Sequence, residues 1–292
     1  MNLKIVVLVK QVPDTQNITG NAMKDDGTVN RAALPAVFNP EDMHALEAAL
    51  SLKENHPGST VHVITMGPPA AVQVLKDSLY RGADSVALVS DRRFAGADTL
   101  ATSYALKCAI ENKIGKYDLV FCGRQAIDGH TAQVGPQTAE KLGINQISFV
   151  SAIEKIEKNK ITACRLTENG LETVTAELPV LLTVTDENFS PRPPSAKLMM
   201  ACKEAVLSSV EGSYDESYID TEKMPGRLLQ IEQWNVESIK ADPAQCGLSG
   251  SPTKVKHIES VVLKSSQIKM TENTDQAVLQ MVKELAADHT LE

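Results

Sequence analysis

Lys4 to Val9 (KIVVLV) is apolar without alternation, so hydrophobic side chains stand on both faces of any strand it forms. Such a strand belongs in the middle of a parallel sheet, covered on both sides. A polar stretch follows, DTQNITGNAMKDDGTVNRAA, whose DDG is suited to a hairpin turn. From Asn39 onward, short apolar runs alternate with longer amphipathic stretches. TVHVITMG, SVALVSD and DLVFCG read as strands, and AAVQVLKDSLYRGA and TLATSYALKCAIENKI read as helices. Asn39-Pro40-Glu41-Asp42 predicts a helix start running to about Glu54. Asn39 suits the cap, Pro40 the first turn, and the two acids the positive end of the dipole. This rhythm predicts an α/β fold: a doubly wound, mainly parallel sheet with helices on both faces.

The pattern changes after Gly143. ISFVSAIEKIE, ITACRLTE and LETVTAEL read as antiparallel strands, with an ENG turn between two of them, and LPVLLTVTD as a further buried strand. FSPRPPSAKLMMACK is a proline-bounded surface segment. From about Ser208 the chain is acidic and loop-like, passing through CGLSGSPTK. It ends on a predicted helix with Val278, Met281, Val282 and Leu285 on one face. The expected organisation is an α/β domain over 1–207 and an extended C-terminal arm with a terminal helix over 208–292. The arm packs either on a partner subunit or on its own domain.

With 292 residues, 42% hydrophobic and 23% charged, the chain has the balance of a globular protein. A net charge of −8 and an aromatic share of 4% argue against a nucleic-acid binder, which needs cations for phosphates and rings for stacking. Five scattered cysteines form no CxxC pair, so neither a redox disulfide nor a structural zinc site is expected. The first apolar run is too short to span a membrane and lacks a small-residue cleavage site. The expectation is a cytoplasmic protein without membrane insertion.

In an open parallel sheet, ligands lie beyond the carboxyl ends of the strands. Those ends supply Val9-Lys10, Met66-Gly67-Pro68, Asp91 with Asp98-Thr99, and the loop GRQAIDGHTAQVGPQTAEKLG from Gly123. They carry small residues, hydroxyls and the cations Lys10 and Arg124, but no nucleophile–base pair, GxSxG or HExxH. No catalytic or metal-ligating residue is expected. His130 reads as a solvated loop side chain, with a base as the competing role, and Asp128 as a turn or capping residue, with a hydrogen bond to a ligand as the competing role. Backbone N–H groups of Gly129 to Gly135 at a helix start are able to hold a pyrophosphate without a Walker lysine. An ordinary strand–helix loop is the equal alternative. GxGxxG is missing after the first strand, which speaks against a Rossmann dehydrogenase.

Together these residues resemble the β subunit of electron-transfer flavoproteins over nearly the whole chain. KIVVLVKQVPD is similar to the family's first strand and its lysine, FNPED to its Asn-Pro helix start, and MGPPAAVQVLKDSLYRGADSVALVSD to its Gly-Pro helix and Gly-Ala-Asp turn. GRQAIDGHTAQVGPQTAEKLG resembles its adenine-nucleotide loop. ACRLTENGLETVTAELPVLLT resembles its signature segment, with Asn169 where an acid or glycine is usual. The resemblance implies a heterodimer with an α subunit and an adenine-nucleotide-binding flavoprotein fold. In one branch the β site holds structural AMP. In another it holds FAD, which takes hydride from NADH and splits the electron pair. One electron then goes through the α-subunit FAD to a high-potential acceptor, the other to ferredoxin or flavodoxin. IDGHTAQVGP and AGADTLATSYAL look like this bifurcating branch, with His130 where Asp is usual.

By this resemblance the nucleotide contacts are Val9, Lys10, Asn39, Met66, Gly67, Asp98, Thr99 and Thr102. Gly123, Arg124, Gln125, Asp128, Gly129, His130, Thr131, Ala132, Gln133, Val134 and Gly135 join them from the loop. NFSPRPPSAKLMMACK corresponds to the loop by which members dock on an acyl-CoA or other flavin dehydrogenase, with Leu198 and Met199 as apolar anchors and Ala196 where the family's anchoring leucine aligns. The alternatives are a subunit holding AMP as a plain electron carrier, or a non-redox adenine-nucleotide-binding protein.

Overall fold

The computed structural model describes residues 2–14, 35–209, 230–253 and 273–287. The polar stretch with its DDG, the acidic run after 209 and the chain between 253 and 273 lie outside the described residues. In chain order the elements are β1 (Lys4–Val9), β2 (Gln11–Pro13), β3 (Ala36–Phe38), α1 (Pro40–Asn55), β4 (Thr60–Met66), α2 (Val72–Arg81), β5 (Ser85–Val89), α3 (Thr99–Ala109), β6 (Leu119–Gly123) and α4 (Val134–Leu142). They continue with β7 (Asn145–Glu157), β8 (Lys160–Thr167), β9 (Gly170–Glu177), β10 (Val180–Val184), α5 (Ala196–Cys202), β11 (Val206–Leu207), β12 (Gln230–Trp234) and α6 (Asp275–Ala287).

Ten strands form one sheet in the order β11-β12-β5-β4-β1-β6-β10-β7-β8-β9. All neighbours from β11 to β7 pair in parallel, and β8 and β9 extend the edge antiparallel. This is the expected doubly wound α/β architecture, and β1 explains it. Ile5, Val7 and Val9 enter a core with α1, α2 and α5, while Val6 and Leu8 enter a second core with α3 and α4. All five residues are at most 5% exposed. Each such buried side chain contributes about 1.5–3 kcal/mol of transfer free energy, so a strand apolar on both faces demands helices on both.

Three expectations are corrected. ISFVSAIEKIE is not simply antiparallel: the start of β7 pairs in parallel with β10, and only its later part pairs with β8. The β10–β7 register shifts between Leu182 and Val184, where Phe149 takes a left-handed φ of 60° and its N–H bonds the Thr183 hydroxyl at 3.0 Å, and Val150 just beyond pairs with both Val184 and Arg165. Asn39 stands at the N-cap of α1 but makes no capping bond, because its amide is engaged elsewhere. Residues 230–253, read as part of the arm, are built into the α/β body. β12 pairs with β5, and Trp234, Val236, Ile239, Ala241 and Cys246 fill the second core. α6 does carry the expected apolar stripe, and Val278, Met281, Val282 and Leu285 are all exposed.

Candidate functional site

The chain runs from β1 outward to β4 and β5 on one side, while β6 and β10 lie on the other, so strand order reverses at the β1–β6 boundary. A cavity of about 820 Å³ opens at the carboxyl ends of these strands. Both the position and the size suit a cofactor-binding crevice.

The loop after β6 is fastened by the first turn of α1. Asn39 is fully buried; its Nδ2 donates to the Gln125 carbonyl at 2.9 Å and its Oδ1 accepts from Ile127 N at 3.2 Å. Glu41 pairs with Arg124 at 2.8 Å and accepts from Gln125 N. Asp42 accepts from Lys10 N at 2.8 Å and Gly123 N at 2.9 Å, joining the ends of β1 and β6. A Cβ on Gly123 would stand 2.6 Å from the Glu41 carbonyl carbon and 2.7 Å from Asp42 Oδ1, so α1 approaches closely only because this residue is glycine. Gly135 lets α4 settle on the sheet in the same way, since its Cβ would meet Cys122 Sγ at 2.7 Å.

The loop then runs into α4, which starts at Val134, so Gly135 and Pro136 fall in its first turn, where proline is tolerated. The first N–H groups of a helix have no partner inside it, and among the described residues no side chain caps this start. His130 and Ala132 take left-handed φ values of 51° and 52°, which costs roughly 1 kcal/mol or more at each non-glycine residue. Lys10 Nζ crosses the crevice to both oxygens of Asp128, at 2.7 and 2.8 Å. Thr99 Oγ1 donates to Gln133 Oε1 at 2.9 Å, tying α3 to the loop. Asp98 caps α3 through Leu100 N and Ala101 N and accepts from Thr253 N at 3.1 Å. Burial raises the Asp98 pKa, but these bonds outweigh it and hold the carboxylate below its ordinary range. Asp42 is the opposite case: burial prevails over its hydrogen bonds and lifts it to about 7.

Every residue assigned by resemblance to the nucleotide lines this cavity except Asn39, which braces the loop from behind. Sequence reasoning missed several others. Asp42 and Glu41 had been given only a helix-dipole role. Asp42, Phe94, Cys122, Arg92 and Gln233 line the wall, and Glu41 braces the loop from outside it through Arg124 and Gln125 N. The Gly/Ser stretch after Cys246, expected as a loop-like part of the arm, supports α3: Ser251 Oγ accepts from Asp98 N at 2.9 Å, and Leu248 packs where a Gly96 Cβ would be. No local spacing announces these long-range contacts. Met199 and Met200 of α5 are exposed at 41% and 59%, Ala196 is exposed, and Leu198 is half-buried in a second cleft of about 470 Å³.

The residues fit an adenine dinucleotide. Helix-start N–H groups and the buried Arg124 Nε, both without a partner among the described residues, supply anion donors, while Leu8, Met66, Phe94 and Leu106 supply apolar walls for rings. Among the described residues no cluster of His, Cys, Asp and Glu is arranged to hold a metal, and no helix is long and apolar enough to cross a membrane.

Fold and crevice together define an open, doubly wound α/β protein with its cavity at the strand-order switch. Residues 26–211 match the electron transfer flavoprotein domain. The chain is 39% identical over 288 residues to the electron transfer flavoprotein subunit beta of Clostridium acetobutylicum, covering 98% of this chain and 99% of that one. It is 43% identical to the caffeyl-CoA reductase-Etf complex subunit CarD of Acetobacterium woodii, over 87% of this chain and 86% of that one. It is 39% identical to the acryloyl-CoA reductase electron transfer subunit gamma of Anaerotignum propionicum, over 87% and 86%. The chain belongs to the electron transfer flavoprotein β-subunit family.

Proposed function

We propose that this chain is the β subunit of a heterodimeric electron-transfer flavoprotein whose strand-end cavity holds FAD, and that the complex takes hydride from NADH and bifurcates the electrons. One electron goes to ferredoxin or flavodoxin, and the other passes through the α-subunit FAD to an acyl-CoA-type or similar dehydrogenase. The observation that carries the choice of FAD over AMP is the extent of the cavity. It continues from the β6–α4 loop past Met66 to Arg92, Phe94 and Ala97, leaving room beyond the loop for a second ring system.

When bound, the flavin supplies hydride acceptance and one-electron release; the chain supplies position and electrostatics. The N–H groups at the start of α4, favoured by its dipole, hold the diphosphate. Gly129, with open space where a Cβ would stand, allows close backbone approach. Lys10 and Arg124 carry positive charge at the rim, balanced by Asp128 and Glu41. Kinship with subunits named for caffeyl-CoA and acryloyl-CoA reductases supports service to an acyl-CoA-type enzyme. α6 and its exposed stripe suit the α subunit, and the exposed methionines of α5, with Ala196 and Leu198, suit the dehydrogenase.

The decisive experiment is to co-express the chain with its α subunit and count cofactors. Two FAD per heterodimer are expected, with NADH bleaching the β-bound one. A single FAD with AMP in the β site establishes the electron-carrier reading instead. A stable colourless β chain indifferent to α establishes a non-redox nucleotide-binding protein.

A further inference from the structure

β1 and β6 pair only from Ile5↔Leu119 to Val7↔Phe121. Beyond that the strands part, and the cavity opens between them. The gap at Lys10 and Gly123 is bridged by the Asp42 side chain in place of ladder bonds. Oδ2 accepts from Lys10 N at 2.8 Å and Oδ1 from Gly123 N at 2.9 Å. Both bridged residues line the cavity, as does Asp42 itself, which is 6% exposed.

We propose that the Asp42 carboxylate is the latch of this cavity: its two oxygens set the spacing of the strand ends, and uptake of a proton undoes one side of the latch, linking nucleotide binding to pH. The inference rests on the reading of the cavity as an adenine-nucleotide site. An ionised carboxylate is acceptor-only and matches two N–H donors; a protonated one turns an O–H toward one of them and loses that bond. Burial lifts this carboxyl to about 7 against the bonds from Asn39, Gly123 and Lys10, so the change falls near neutrality. The charged and titratable groups facing it are few. Glu41 on its own helix raises it, and Glu41 is itself paired with Arg124 after β6. The Lys10 ammonium after β1 is turned to Asp128, and the Cys122 thiol in β6 is held neutral by burial.

The sign follows. The ionised latch is the binding-competent form, so affinity is full above the Asp42 pKa and falls as pH drops through it. With a midpoint near 7, the competent fraction changes about tenfold between pH 8 and pH 6. The test measures FAD affinity across that range on the heterodimer stripped of its β-site nucleotide. FAD is the probe because its diphosphate has no proton to exchange there. Wild type should weaken about tenfold from pH 8 to pH 6. D42N should be weak and flat, while H130Q keeps the wild-type slope whatever its absolute affinity. A wild type without slope, or D42N with wild-type affinity and slope, overturns the latch. If D42N does not assemble, amide hydrogen exchange of wild type decides. One of the two N–H groups, Lys10 or Gly123, should lose protection below pH 7 beyond the intrinsic change, and unchanged protection of both across the range overturns the proposal. Failure of both FAD and AMP to bind wild type at any pH would sink the nucleotide reading instead, and the same exchange measurement would then judge the latch alone.

Discussion

Two loops leave the same edge of the sheet, one after β6 and one after β10, and α1 holds both. The first is fastened by the buried start of the helix, through Asn39 and Asp42, mostly to backbone groups. The second is fastened further along. His44 Nδ1 bonds the Phe189 carbonyl at 2.8 Å, and Arg192 forks onto Glu47 at 2.8 and 2.9 Å and reaches Glu54. The difference teaches what each loop is able to do. Buried bonds are strong because losing one leaves an unsatisfied group away from water, so the first loop keeps one shape. Charge pairs near the surface are weaker and salt-screened, so the second loop is held less firmly than the first.

The sharpest way to break the comparison is at the glycines of the first loop. Gly123→Val should abolish the soluble complex or cost several kcal/mol in urea unfolding, because its Cβ meets the backbone of α1 at 2.6 Å. Gly129→Val, with no neighbour within 4 Å of its Cβ position among the described residues, should leave stability within about 0.5 kcal/mol and still release the β-site nucleotide, measured by cofactor content. Equal destabilisation by both would mean that the loop's glycines serve only folding.

Asn39→Ala comes next. It strips two partners from buried groups, at about 1–3 kcal/mol each, and should lower the melting temperature and weaken FAD together. A stable variant that retains FAD would show that Asn39 is dispensable to the loop.

Arg192→Ala should cost less stability than Asn39→Ala, on the order of 1 kcal/mol, because its ion pairs are partly exposed and screened. Electron delivery to the dehydrogenase should fall while NADH reduction is kept. Leu198→Glu with Met199→Glu should give that split with little change in stability; loss of both activities would instead mark these residues as core. Glu47 also gives the clamp a pH signature. Burial opposes ionisation, but the Arg192 bonds prevail and hold the Glu47 pKa below 4.5. The clamp's contribution is therefore present above that ordinary value and lost as pH falls through the lowered one. The Asp42 latch has the opposite sign. Its folded pKa is raised, so it favours the folded chain at acid pH and gives up that contribution as pH rises toward 7.

Much of the site was legible because it is local. Val9-Lys10, Met66-Gly67, Asp98-Thr99 and the 123–135 loop each sit directly after a recognisable strand, and parallel connections bring such ends to one edge. The braces were not legible. Asp42 looked like a helix-start acid, since its bonds reach 32 and 81 residues along the chain. Ser251 and Leu248 read as part of a loop-like stretch of the arm, since their partners near Gly96 and Asp98 are over 150 residues away.

The sequence by itself determined the parallel sheet, because a strand apolar on both faces has no other stable place, and it determined the order of strand ends that lines the cavity. Only the tertiary structure decided which charges stay free and which are spent, where β7 changes partner, and that residues 230–253 belong to the body rather than the arm. Those outcomes depend on the distances between elements remote in sequence, and a buried carboxylate takes its pKa and its role from the groups that folding brings to it.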